Sequence, residues 1–287
     1  MTVLRRGRLA LVPTVLSSAA AAFALATSLF GLCLDWPYAA ETAGWRVQAQ
    51  GQDVGNLLAV LVLTVGVVAA RRGSVRGFQV WVGALGYLVY AFTIYAMTVH
   101  FSVLFLGYVA VLGLSLYSLM FALPERPQQS LRPGVRRLGA GVLAGIASAF
   151  AVLWLAAIVG ALVSGRPPVE LSETGLPANP VHVLDLAIVL PGMIITAVRA
   201  RRDDLAALMV PALLVFTALM AASIVATLLL SQATPMVVAL FGTVTTAGAM
   251  IATIMLRQPG QWSIATPREA ARHSRPLDTI DHATRGR

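Results

Sequence analysis

The sequence predicts an all-α fold, a polytopic transmembrane bundle of about eight helices. Three observations predict it. Only 11% of the 287 residues are charged and 58% are hydrophobic, too little polar surface to disperse a soluble domain of this length. The apolar residues lie in long unbroken runs and not at the spacing of a half-buried helix or strand. The arginines gather in the breaks between those runs.

The first span reads from Leu11 to Leu34, the second from Val54 to Ala70 and the third from Val80 to Met97. The fourth reads from Phe101 to Leu123, the fifth from Leu138 to Val163 and the sixth from Val181 to Val198. Leu205–Leu230 and Met236–Leu256 complete the set. Each is close to the ~20 residues that cross ~30 Å of hydrocarbon at about 1.5 Å per residue. Turns at Thr98–His100 and Ser231–Pro235 divide the two longest uncharged stretches.

The chain has no lysine, so its net charge of +9 comes from arginine alone. Of 21 arginines, all but Arg46 and Arg166 fall on one side of this layout. The positive-inside rule makes that side cytoplasmic, with both termini on it, and the plasma membrane of a bacterium is the expected location. No basic stripe is interleaved with exposed aromatics, which excludes nucleic acid as a partner; the lipid bilayer is the partner the composition implies. Trp36, Tyr38, Trp45, Trp81 and Trp262 fall near span ends, as interfacial aromatics. The first apolar run is too long for a signal-peptide core and no cleavage site follows it, so it reads as a retained span. The lone Cys33 rules out an internal disulfide and any multi-cysteine metal site.

One transmembrane domain covers residues 1–256, and a polar tail, largely disordered, covers 257–287. Thr266-Pro267-Arg268-Glu269 is a capping box that would start a short helix in the tail. The domain reads as two tandem four-helix repeats, 1–124 and 136–256. A slide of 129 residues lays Asp53-x-x-Asn56 over His182-x-x-Asp185, each opening the second helix of its half. Both halves start on the same side, so the repeat is parallel, about an axis along the membrane normal.

Polar chemistry concentrates near the outer face. Asn179-Pro180 reads as an N-cap with proline at the first helical position, placing His182 in the first turn and Asp185 one turn deeper. A carboxylate at that depth costs up to roughly 2.5–3.5 kcal/mol on insertion scales, so it should face the bundle interior. Asp53 and Asn56 stand in the corresponding place, His100 opens the fourth helix at the same level, and Tyr87, Tyr90 and Tyr95 line the third. These residues are expected to line one polar pocket in the outer leaflet. The structural alternatives are an Asp53 that caps its helix and a His182–Asp185 pair that satisfies itself.

Weaker signals accompany the pocket. Pro191-Gly192 should interrupt the sixth helix near its middle. Gly141-x-x-x-Gly145 should permit close helix contact within the bundle. Asp203-Asp204 should serve the dipole of the seventh helix. Gly113-Leu114-Ser115-Leu116 has the grammar of an intramembrane serine protease, but Ser115 falls too deep for either outer histidine.

The stretches Gly51-Gln52-Asp53, Leu104–Ala110 and Leu176–Leu186 resemble a family of bacterial multi-pass membrane proteins to which no activity is attached. The resemblance runs to about Leu230 and implies the architecture alone. Three functional readings stay open. The first is a protein that binds or transports a small ligand or ion through Asp185, His182, Asp53 and Asn56, with Asp185 as the charged anchor. The second is a membrane-embedded enzyme with a metal or haem held by His100 and His182. The third is an accessory or sensory subunit whose polar residues are structural. Reporter fusions check the topology: alkaline phosphatase should be active within the Gly165–Ala178 loop and inactive at the C-terminus.

Overall fold

The computed structural model describes residues 10–127, 131–233 and 235–257. The regular structure described is all helical, in nine helices among the described residues. They are α1 (Leu11–Cys33), α2 (Ala43–Arg71), α3 (Val75–Thr98), α4 (Phe105–Ala122), α5 (Pro133–Ser164), α6 (Val169–Thr174), α7 (Pro180–Arg199), α8 (Asp204–Leu230) and α9 (Pro235–Leu256). Seven of these, α1 to α5, α7 and α8, are long and apolar enough to cross a membrane. Helix α9, at 22 residues, lies where the eighth span is expected. The tail's capping box, Trp262 and the arginines before the first span fall outside the described residues.

Helix starts follow the capping residues more closely than the hydropathy. Thr42 caps α2, accepting the Trp45 backbone N–H at 3.2 Å, so α2 begins well before Val54. Asp53 therefore lies inside the helix, where every backbone N–H already has a partner; it neither opens the helix nor caps it. Ser74 caps α3 by accepting from Gly77 N, and Asp203 caps α8 by accepting from Leu205 N. Asn179 caps α7 as expected, its Oδ1 accepting from Val181 N at 2.9 Å with Pro180 at the first position. His100 does not open the fourth helix; it sits in the turn before α4, which starts at Phe105. The loop expected over Gly165–Pro180 contains α6, closed by Gly175 in the left-handed conformation.

Helices α1 to α4 close into a ring in which each contacts its two neighbours, and α8 lies against both α2 and α3. Helices α5 and α7 pack on each other and on α8, and α9 packs mainly on α8. One core runs through the first four helices, around Trp81, Tyr87, Phe92 and Leu63. A second, smaller one joins α5, α7, α8 and α9 around Leu143, Met193 and Leu214. Where lipid replaces water, helices associate through close packing and interhelical hydrogen bonds. Ser17 of α1 shows this, meeting Ser118 Oγ of α4 at 2.8 Å and accepting from Trp81 Nε1 of α3 at 2.9 Å.

The glycine pair that does the packing is Gly51-x-x-x-Gly55 on α2. A Cβ at Gly55 would collide with Ser223 and Tyr87, and one at Gly51 with Thr227, so α2 and α8 touch backbone to side chain. Gly141 and Gly145 were expected to make such a contact; both are exposed and a Cβ on either meets nothing within 4 Å. The reason lies in α5, where the buried positions are Gly139, Ala140, Leu143 and Ala147, a different stripe of the helix. Helices α3 and α8 cross where Gln79 Nε2 donates to Leu208 O at 3.1 Å, a separation of 129 residues. One turn on, Gly83 faces the Ala212 carbonyl at that same separation.

Gly55→Leu should therefore destabilise the purified protein in detergent by about 1–3 kcal/mol or more, read as a lowered unfolding midpoint. Gly145→Leu should leave the midpoint within about 0.5 kcal/mol of the parent.

Candidate functional site

Two carboxylates are buried among the spanning helices, Asp53 on α2 and Asp185 on α7. Each has its own hydrogen-bond partners.

Asp53 is enclosed by phenols. The loop after α1 turns through the short 3-10 helix Trp36–Tyr38 and drops Tyr38 into the bundle, where its hydroxyl donates to Asp53 Oδ2 at 2.6 Å. Burial, and after it the Asp53 carboxylate, push the Tyr38 phenol well above its ordinary value, so it remains a donor. Tyr95 Oη lies 3.1 Å from Asp53 Oδ1 and 2.8 Å from the Ala49 carbonyl. Gly31 of α1 leaves room for this arrangement, since a Cβ there would strike Asp53 and the Tyr38 ring. The Tyr108 ring packs edge-on to Tyr95 with centroids 5.2 Å apart, and its buried hydroxyl has no hydrogen-bond partner.

Asn56 lies one turn further along and donates to Ser28 Oγ at 3.0 Å. Gln52 donates to the Tyr87 hydroxyl at 2.5 Å, and Tyr87 meets Ser223 Oγ of α8 at 2.8 Å. Asp53, Asn56, Tyr87 and Tyr95 thus belong to one network joining α1, α2, α3 and α8.

Asp185 has different surroundings. Tyr90 of α3 donates to Oδ1 at 3.0 Å, and Trp154 Nε1 of α5 donates to Oδ2 at 2.8 Å. His182 does not bond to Asp185. Its ring packs on the Trp154 indole with centroids 4.6 Å apart, and its Nε2 lies 3.5 Å from Asn179 Nδ2. The sequence pairing of His182 with Asp185 gives way because an intervening indole from α5 contacts both. Asp185 also begins a π turn, Asp185–Val189, in which Leu190 N–H bonds to the Asp185 carbonyl. Pro191 accounts for the turn, since it has no N–H and its ring crowds the carbonyl four residues back. The expected interruption of this helix is thus a widened turn at Asp185.

His100 belongs to neither set. Its backbone N–H and its ring Nδ1 bond to the two oxygens of Glu41, at 2.7 and 2.9 Å, tying the α1–α2 loop to the α3–α4 turn. Among the described residues no three His, Cys, Asp or Glu side chains converge as metal ligands would.

The sequence reading missed Trp154, Tyr38 and Ser28. Trp154 carried a signal, since it lies inside a span and not at an interface where tryptophan is common. Tyr38 was taken for an interfacial aromatic, and Ser28 has no sequence feature that distinguishes it.

Fold and site together define a multi-pass membrane protein of the all-α class with two buried carboxylates held by aromatic donors. Comparison with family models, curated proteins and solved structures returns no match for the chain.

Tyr38→Phe should cost about 1.5–3 kcal/mol of stability, because it removes one donor from a buried carboxylate. Asp53→Asn, which keeps shape and hydrogen bonding, should cost less than Asp53→Leu, which strands Tyr38. Thermal unfolding of the three variants in one detergent checks the order.

Proposed function

We propose that the chain binds, and as a carrier moves, a small ligand or ion at Asp185, from the outer side of a bacterial plasma membrane. The observation that carries this is the π turn at Asp185. Pro191 permits the turn, and single π turns inside α-helices are frequent at functional sites. Among the described residues it is the only π turn. Asp185 is also without an ion-pair partner among the described residues, and an intramembrane carboxylate left in that condition marks a functional position by default.

In this reading the two carboxylates divide the work. Asp53 is supplied by the chain's own phenols and holds the outer loop on the bundle, the structural role expected of an accessory subunit's polar residues. Asp185, with the same count of one donor per oxygen, lies at the widened turn before Pro191, and His182 borders it. The enzyme alternative draws little support, since the two histidines that would hold a metal or haem are engaged by different partners, Glu41 and Trp154.

Orientation follows the arginines, with both termini and the arginine-rich turns cytoplasmic. The tandem repeat belongs to the same proposal. A parallel pseudo-twofold axis requires residues on it to touch their own equivalents. The Gln79–Leu208 bond and the Gly83–Ala212 approach, each separated by the 129-residue slide that aligns the halves, support an axis through the α3–α8 crossing.

Variants of Asp185 test the site. Asp185→Asn should fold with an unfolding midpoint near the parent's and lose the stabilisation that ligands from an ion and metabolite screen give the parent. Asp185→Leu should be markedly less stable, since Tyr90 and Trp154 lose their acceptor. Ligand stabilisation that survives in Asp185→Asn would refute the assignment.

A further inference from the structure

We infer that the ligand at Asp185 is an alkylammonium amphiphile, a cationic nitrogen head on an apolar tail, entering sideways from the lipid between α5 and α7. This rests on the preceding assignment of Asp185 as the binding residue and names the class of ligand it takes.

Charge and donor count select the head. Asp185 receives one hydrogen bond on each oxygen, from Tyr90 and Trp154, whereas a carboxylate has about four acceptor positions. Asp185 is the acidic side chain of this turn, and Glu170 lies in the first turn of α6, the outer helix that leads into α7. The locality is thus acidic, and it repels phosphate or carboxylate heads. Its walls are aromatic: the Trp154 indole packs on His182 and, with centroids 5.8 Å apart, on Phe150, and Tyr90 stands edge-on to Phe216. A carboxylate among aromatic faces is the environment that holds an ammonium group, through charge and through the ring quadrupoles.

The packing of α5 selects the tail and the route. Its buried positions end at Ala147. From there to Ser164 no residue is fully buried, and the face that turns inward, Phe150–Trp154–Ile158, is only half-buried. Trp154 reaches from this stretch to α7 through its bond to Asp185, beside Phe150 and Ala151, which pack on the core shared with α7. On α7 itself, Val183 and Ile188 flank the carboxylate and are exposed. An apolar tail lying along these side chains would place its head at Asp185 once the indole swings aside.

The test uses the full chain in dodecyl maltoside, with thermal unfolding and tryptophan emission as readouts. Dodecyltrimethylammonium at low mole fraction should raise the unfolding midpoint and shift the emission, and dodecanol should do neither. Asp185→Asn should weaken the apparent affinity roughly tenfold or more. Asp35→Asn, which removes an exposed carboxylate of the α1–α2 loop, should leave it unchanged. Tetramethylammonium should give a much smaller shift at equal concentration; a full shift from it would overturn the amphiphile and the lateral route in favour of a water-soluble ammonium ion. No shift with either ammonium, or an equal shift in Asp185→Asn, would overturn the inference outright. A different ligand whose binding depends on Asp185, found where the ammonium probes fail, would overturn this inference while leaving the site assignment standing.

Discussion

A carboxylate placed inside a lipid-facing bundle has to be given hydrogen-bond donors by the protein, because the surrounding hydrocarbon offers none. Much of this structure answers that requirement twice. For Asp53 the donors come from the α1–α2 loop and from α3, so satisfying one side chain fixes the loop, sets the tilt of Tyr95 and requires a glycine at position 31. For Asp185 they come from α3 and α5, and the bond to Trp154 ties the C-terminal half of α5 to α7. Each carboxylate receives one aromatic donor on each oxygen; the two sets differ in where the donors come from, a loop and α3 for Asp53, α3 and α5 for Asp185.

Helix existence was legible because the bilayer enforces a length and an apolar composition that any window of about 20 residues registers. The cap at Asn179 was legible too, being a local event between a side chain and the next two or three backbone amides; Asp203, read only as serving the helix dipole, caps α8 in the same way. Where α2 starts was not. Residues 43–53 carry Arg46, Gln48, Gln50, Gln52 and Asp53, and a hydropathy window discards them although they continue the same helix under the cover of α6 and the first loop. The candidate residues themselves were largely right in kind, since intramembrane ionisable groups stand out by their rarity. Their grouping was not readable. The sequence could place Asp185 and His182 on one helical face, but a tryptophan some 30 residues upstream decides what lies between them. Of the two GxxxG-spaced pairs, only packing distinguishes the buried one at Gly51 and Gly55 from the open one at Gly141 and Gly145.

The two halves differ sharply in how tightly they are built. Around the first four helices the polar contacts are short and numerous, and aromatic rings fill the centre. The second set relies on alanine, leucine and methionine, with α9 resting chiefly on α8. Pro191 and the π turn lie in the looser unit, where a helix can widen without disturbing a dense aromatic core.

The meeting of Ser17, Ser118 and Trp81 bears on how the chain enters the membrane. Ser17 lies in α1, and Ser118, its side-chain partner in α4, is made 101 residues later. Until α3 and α4 arrive, the Ser17 hydroxyl can bond only to its own helix, as it does to the Pro13 carbonyl at 2.7 Å. That internal bond lets α1 dwell in lipid without an unsatisfied group. The arrival of Trp81 and then Ser118 fastens α3 and α4 to α1, so that α1 to α4 can close before α5 to α9 are made.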